Sequence, residues 1–300
     1  MADTAHEASR PAPILAAVDG SSISYQAVGW AAAEADLRGC PLHIITSYAI
    51  PVAKVPVTSL GAAELAWVRE DGNRVLTEAA AVARHTAPGD PVVTTELIFE
   101  PITTTLIARS RTARLVVLGN RGRGALRRAV LGSVSTSLTR HAHCPVVVVP
   151  AMPETDPTAA HRPIVVGVDG SENSMPAVGM AFEMASRRKV GLVAVHAWSD
   201  DTGHDLPVIP WEGIRETEDA VLAECLAGFG ERFPDVAVQR VVARDTPVRA
   251  LLEYADGAQL VVVGTRGRGG FAGMNLGSTS TALLHLAPCP VLVVRESRIG

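Results

Sequence analysis

The sequence predicts an α/β protein of two tandem domains, each an open, doubly wound parallel sheet of five strands. Three observations carry this. Short apolar runs alternate with longer amphipathic stretches along all 300 residues. Runs such as LVVL, VVVV and IVVGV lack polar alternation, as strands covered on both faces do. The whole series also occurs twice. ILAAVDGSS at 14–22 matches IVVGVDGSE at 164–172, an offset of 150. Further on, Gly119 with Gly264, Gly132 with Gly277, and CPVVVV with CPVLVV match at an offset of 145.

The elements follow in order. Residues 1–12 are a Pro- and Ala-containing tail, 13–150 the first domain, 151–162 a Pro-rich polar linker and 163–297 the second domain. In the first domain strands are expected at 14–18, 42–46, 92–98, 115–118 and 145–149, with helices at 24–38, 60–86, 101–110 and 133–142. In the second, strands are expected at 164–168, 191–196, 236–242, 260–263 and 290–294, with helices at 175–188, 211–232, 247–255 and 278–286. Pro101 and Pro247 sit where a first helical turn tolerates proline. Strand–helix alternation with right-handed crossovers closes each set into a doubly wound sheet. The last strand of each domain is short and apolar and is expected at a sheet edge. There it invites pairing, either between the two repeats or between two chains as a homodimer.

Composition narrows the function classes. The chain is 47% hydrophobic and 19% charged, as globular chains are. A net charge of −4 gives no global attraction for nucleic acid or an anionic membrane. No apolar stretch reaches the ~18 residues of a membrane span, and the N-terminus has no signal-peptide core. The four cysteines form no CxxC, and Cys144 and Cys289 stand at matching places before a Pro and an apolar strand. A reduced, cytoplasmic protein is expected.

In such sheets ligands bind beyond the C-terminal strand ends, where strand order reverses. The first strand of each repeat ends at Asp19 or Asp169, and the fourth at Gly119 or Gly264. The later Gly-Ser, 132–133 or 277–278, opens a helix whose free N–H groups and dipole suit phosphate. Ser133 and Ser278 add hydroxyl donors, and Arg121, Arg123, Arg266 and Arg268 add attraction for a polyanion. A Walker A loop is excluded, because Lys54 and Lys189 are the only lysines and neither follows a glycine. A dinucleotide fingerprint is missing after the first strand.

Both repeats read G-x-x-G, nine residues, then G-S: Gly119, Gly122, Gly132, Ser133, and Gly264, Gly267, Gly277, Ser278. With an aspartate ending the first strand, this resembles the universal stress protein family, as a tandem pair of the actinobacterial kind spanning nearly the whole chain. The resemblance implies a Rossmann-like fold related to the adenine-nucleotide α-hydrolases, and one ATP per repeat, with Mg²⁺ left open. It places Asp19, with Ala17 and Val18, and Asp169, with Gly167 and Val168, at the adenosine. It places the backbone after the second strand, near Ser47 and Ala197, at the adenine edge. The phosphates would lie on Gly119, Arg121, Gly122, Arg123, Gly132, Ser133 and Val134, and on Gly264, Arg266, Gly267, Arg268, Gly277, Ser278 and Thr279.

Plainer readings stand beside these. Asp-Gly-Ser is also an ordinary turn, and loop arginines are ordinarily solvated. His141 and His143 beside Cys144 have no counterpart in the second repeat, so helix-end charge is favoured over metal and no metal site is expected. Tyr48 and Trp198 match at an offset of 150, and either border the base or belong to the core. No base or nucleophile pattern recurs at the crevice, so binding with at most slow hydrolysis is expected. The resemblance implies a regulatory role in stress response or growth control, through a protein partner that the sequence does not name. Two alternatives are a nucleotide-independent dimerising scaffold and an α-hydrolase-type enzyme, whose S-G-G-x-D-S loop VDGSS only echoes.

Overall fold

The computed structural model describes residues 11–48, 62–122, 131–152, 159–198, 211–268 and 276–295. The chain divides into two compact units, Met1–Ala151 and Met152–Gly300. In the first, strands β1 (Ile14–Ala17), β2 (Leu42–Ser47), β3 (Val93–Ile98), β4 (Leu115–Gly119) and β5 (Val146–Val149) alternate with helices α1 (Ser22–Arg38), α2 (Ala62–Thr86), α3 (Ile102–Arg109) and α4 (Ser133–His141). In the second, β6 (Ile164–Gly167), β7 (Leu192–Trp198), β8 (Val238–Arg244), β9 (Leu260–Gly264) and β10 (Val291–Val294) alternate with α5 (Met175–Arg188), α6 (Trp211–Arg232), α7 (Pro247–Ala255) and α8 (Ser278–Leu286).

All pairings within a unit are parallel. The order is β3-β2-β1-β4-β5 in the first unit and β8-β7-β6-β9-β10 in the second. The chain therefore winds outward from β1 to β3, then crosses back to β4 on the other side of β1. Right-handed crossovers put α1 with α2 on one face and α3 with α4 on the other. The reversal leaves a crevice beyond the C-terminal ends of β1 and β4, and equally of β6 and β9.

The strands are as buried as their unbroken apolar runs require. Ile14, Ile44, Val117, Ile164, Val166 and Val262 are inaccessible to solvent. The helical seams differ. In α1 the buried face is Ala27, Val28, Ala31, Ala32 and Ala35, whose small side chains admit close approach. In α5 the seam holds Phe182, stacked on Phe229 of α6 at 5.7 Å and on Phe233 at 6.0 Å. Cys144 and Cys289 are buried, and burial pushes both thiols up to about 12, so they act as small apolar groups.

Most boundaries in the first unit and several strand ends in the second shift by one or two residues, and two of the shifts are instructive. β8, expected at 236–242, spans Val238–Arg244, because β7 runs on to Trp198 and holds Arg244 opposite it. Pro101 caps α3 from outside, whereas Pro247 is the first residue of α7. The expected start of α2 at 60 lies outside the described residues. Among the described residues no helix is long and apolar enough to cross a membrane.

One surface network belongs to the first unit alone. The Arg109 guanidinium bonds both oxygens of Glu96, at 2.5 and 2.8 Å, and His43 lies 2.9 Å away. Arg109 chiefly, against partial burial and helped by His43, holds the Glu96 carboxyl down at about 2 rather than 4.5. A depressed carboxyl stabilises the fold fully above the unfolded value and loses that contribution as the pH falls through the folded one. Glu96 is 37% exposed, so solvent screening reduces the effect. Glu96→Gln should cost about 1 kcal/mol at pH 7. Urea melts should show the gap to wild type closing between pH 4.5 and pH 2.

Candidate functional site

Each crevice is built from the turn that ends the first strand of its unit. Gly20 and Gly170 adopt φ of 81° and 76°, a left-handed conformation that side chains resist. This folds the next residue back onto the aspartate. Ser21 donates its N–H (3.0 Å) and hydroxyl (2.6 Å) to Asp19 Oδ1. Ser171 does the same to Asp169 Oδ1, at 2.9 and 2.6 Å. The plain turn reading thus describes one oxygen of each carboxylate. The other oxygen faces elsewhere. Asp169 Oδ2 accepts the backbone N–H of Arg268, from the loop after β9, at 2.7 Å. Burial acts to raise the Asp169 carboxyl, but the bonds from Ser171, Arg268 and Ser174 outweigh it and hold it below the ordinary range.

The three glycines of each motif do three different jobs. A Cβ on Gly119 would meet Ile23 Cγ2 at 2.7 Å and the Ile23 backbone at 3.4 Å, so this glycine lets α1 approach the strand end. Gly264 likewise faces the Asn173 carbonyl oxygen, at 3.1 Å. A Cβ on Gly122 would meet Asp19 Oδ2 at 2.4 Å, and on Gly267 Asp169 Oδ2 at 2.3 Å. A Cβ on Gly132 or Gly277 would meet nothing nearer than 3.5 Å among the described residues. They precede α4 and α8, and neither helix start has a side-chain cap. Among the described residues the first turn bonds run from Thr136 N–H to Gly132 O and from Thr281 N–H to Gly277 O, and N–H groups ahead of a first turn bond are those that can receive an anion. Ser133 and Ser278 are exposed at these starts, with Val134 and Thr279 half-buried behind them.

Other expected residues are placed as follows. Val18 and Val168 are buried, and their N–H groups bond to Ile45 O and Val195 O. Ala17 ends β1, and Gly167 ends β6 with its open side against Leu251. Ser47 and Ala197 are within their strands rather than after them, because the parallel neighbours β3 and β8 extend as far. Ser47 donates its hydroxyl to Glu100 O at 2.6 Å. Arg121 is half-buried, and Arg266 and Arg268 are exposed. Arg123 lies outside the described residues. Tyr48 bonds Asp71 through its hydroxyl. Trp198 lies against Trp211, with ring centres 6.0 Å apart, and Arg244 stands over Trp211 at 5.8 Å. His141 closes the last turn of α4.

Several residues escaped the sequence reading. Ser24 and Ser174 are buried and donate to Ser21 O and Ser171 O at 2.8 Å, bracing each turn. Ser135 and Ser280 donate to Gly119 O (2.8 Å) and Gly264 O (2.7 Å), tying each uncapped helix start to its strand end. Their recurrence in register, DGSSIS with DGSENS and GSVST with GSTST, was the available signal. His196 is buried in β7, with Nδ1 on Val168 O at 2.7 Å and Nε2 on Glu218 at 2.8 Å. A carbonyl only accepts, so Nδ1 donates to it, and the ring braces the backbone beside Asp169. Thr46 stands there in the first unit, and only the fold reveals the contact. Asn120, just after Gly119, is buried, with Oδ1 unpartnered among the described residues.

The profile of the universal stress protein family matches residues 12–150 and again 160–295. Universal stress protein Rv2005c of Mycobacterium tuberculosis is 43% identical over 286 residues, covering 95% of this chain and 97% of that protein. Rv2623 of the same species is 42% identical over 286 residues, covering 95% and 96%. The solved structure of a universal stress protein from Archaeoglobus fulgidus matches with a TM-score of 0.70 at 19% identity, covering 94% of this chain and 98% of that one. That last likeness is one of fold.

Proposed function

The chain belongs to the universal stress protein family, and from that premise we propose that it is a regulatory ATP binder with one site in each unit. The observation that carries this reading is the meeting, in both units, of the aspartate ending the first strand with the second glycine of the G-x-x-G loop. A crevice with a carboxylate at one end and an uncapped helix start at the other suits a ligand with hydroxyls at one end and phosphates at the other. The room above Gly132 and Gly277 among the described residues fits the same ligand. ATP would supply a polyanionic tail for the helix N–H groups and a sugar donor for the carboxylate. Among the described residues no three His, Cys, Asp or Glu side chains cluster to hold a metal. A Mg²⁺ would therefore arrive on the phosphates and keep its waters.

The proposal is of a binder rather than an efficient hydrolase. Asp169 has three of its lone-pair sites committed to Ser171 and Arg268, so it is poorly free to take a proton from water. Occupancy would act by favouring one conformation of the loops over another, and so one surface for a protein partner. The test is to denature freshly purified protein and identify the released nucleotide, then to add ATP in excess and follow the melt. Ligand at ~100 times Kd should add roughly 2.7 kcal/mol. Neither co-purified nucleotide nor a melting shift would reject the reading, and a steady-state turnover above ~1 s⁻¹ would make the chain an enzyme.

A further inference from the structure

We propose that Asp169, and Asp19 in the first unit, is the catch that holds the phosphate loop in place, over and above any contact it makes with a sugar. The inference rests on the nucleotide reading and deepens it. Asp169 Oδ1 is held by Ser171 at 2.9 and 2.6 Å, within the turn after β6. Its Oδ2 takes the N–H of Arg268, 99 residues further on, at 2.7 Å. One carboxylate thus ties the end of β6 to the G-x-x-G loop after β9. The Arg268 side chain lies back over the same turn, since a Cβ on Gly170 would meet its Nη2 at 2.3 Å.

The second glycine of the motif is explained by this contact. Among the described residues, a Cβ on Gly267 would meet only Asp169 Oδ2 and Cγ within 4 Å, and one on Gly122 only the same atoms of Asp19. What the missing side chain makes room for in this structure is the carboxylate. A carboxylate offers about four acceptor sites. Ser171 and Arg268 fill three of them at Asp169. The turn after β6 and the loop after β9 therefore meet in one side chain. Asp169 is a positioning residue for the phosphates, and its loss should weaken ligands that have no sugar at all.

The test compares ligand-free wild type, Asp169→Ala and Asp169→Asn by amide hydrogen exchange, and then titrates each with ATP and with inorganic tripolyphosphate. In Asp169→Ala the Arg268 amide should exchange at least ~10-fold faster while the β6 amides keep their protection. Asp169→Asn should fall between, because an amide oxygen can accept from Ser171 or from Arg268 but not fully from both; it also carries the test if the alanine variant fails to fold. Tripolyphosphate and ATP should each lose about tenfold in affinity. Gly267→Ala should reproduce the faster exchange and add little on top of Asp169→Ala. Unchanged Arg268 exchange, or loss of ATP with tripolyphosphate retained, overturns the catch. If wild type binds neither ligand, the nucleotide reading fails, and the exchange comparison still decides the catch.

Discussion

Gly122→Ala combined with Gly267→Ala should lower ATP affinity by about 30-fold, or roughly 2 kcal/mol, and leave the fold intact. The new methyl groups fall 2.4 and 2.3 Å from Asp19 Oδ2 and Asp169 Oδ2 and, among the described residues, touch nothing outside those two carboxylates within 4 Å. The carboxylates must swing away, and the core is not disturbed. The other motif glycines give contrasting controls. Gly119→Ala should destabilise the first unit, because its Cβ meets both the side chain and the backbone of Ile23 at the start of α1. Gly132→Ala should be nearly silent for stability, with its nearest neighbour at 3.5 Å and φ at −63°. Calorimetric ATP titration beside thermal melts separates the three. Full ATP affinity in the double variant would move the site away from these loops.

Phe182→Ala should cost about 4 kcal/mol in the stability of the second unit. Phe182 is completely buried and stacks on two rings, Phe229 with planes 18° apart and Phe233 with planes 23° apart. Its removal forfeits transfer energy and both ring contacts, and leaves a cavity between α5 and α6. The first unit offers the converse experiment. Ala32, the residue at the matching offset of 150, is buried in a seam of alanines. Ala32→Phe should overpack that seam by about 1–3 kcal/mol. Urea melts check both, and a loss below about 1 kcal/mol for Phe182→Ala would mean that the α5–α6 seam closes over the gap.

Much of the architecture was legible because local signals and apolar period agreed. The helices expected at 175–188, 211–232, 247–255 and 278–286 form over those residues. Proline near the start of α5 and α7 marks their beginnings. Strand ends were less legible, as at β7 and β8, because a parallel strand stops where its neighbour stops. The residues of the candidate site were legible as a recurring pattern, Asp19 with Gly119, Gly122 and Gly132, and the same again in the second unit. What each residue does was not. Gly119 looks like a ligand-facing glycine in sequence and serves helix packing in space. Ser135, His196 and Glu218 look like ordinary helix and strand residues until their distant partners are known.

By itself the sequence determined that this is a repeated, parallel α/β chain with one glycine-rich motif in each unit. Those properties follow from apolar periodicity, turn chemistry and an internal repeat, each read within a few residues of the chain. Only the tertiary structure decided that Asp169 holds the loop of Arg268, that Gly267 is bare because of that carboxylate, and that His196 braces the backbone beside it. Each of these joins residues far apart in sequence. Sequence spacing carries no record of which oxygen a remote N–H will find, because hydrogen bonding depends on ångström distances that the packed sheet alone sets.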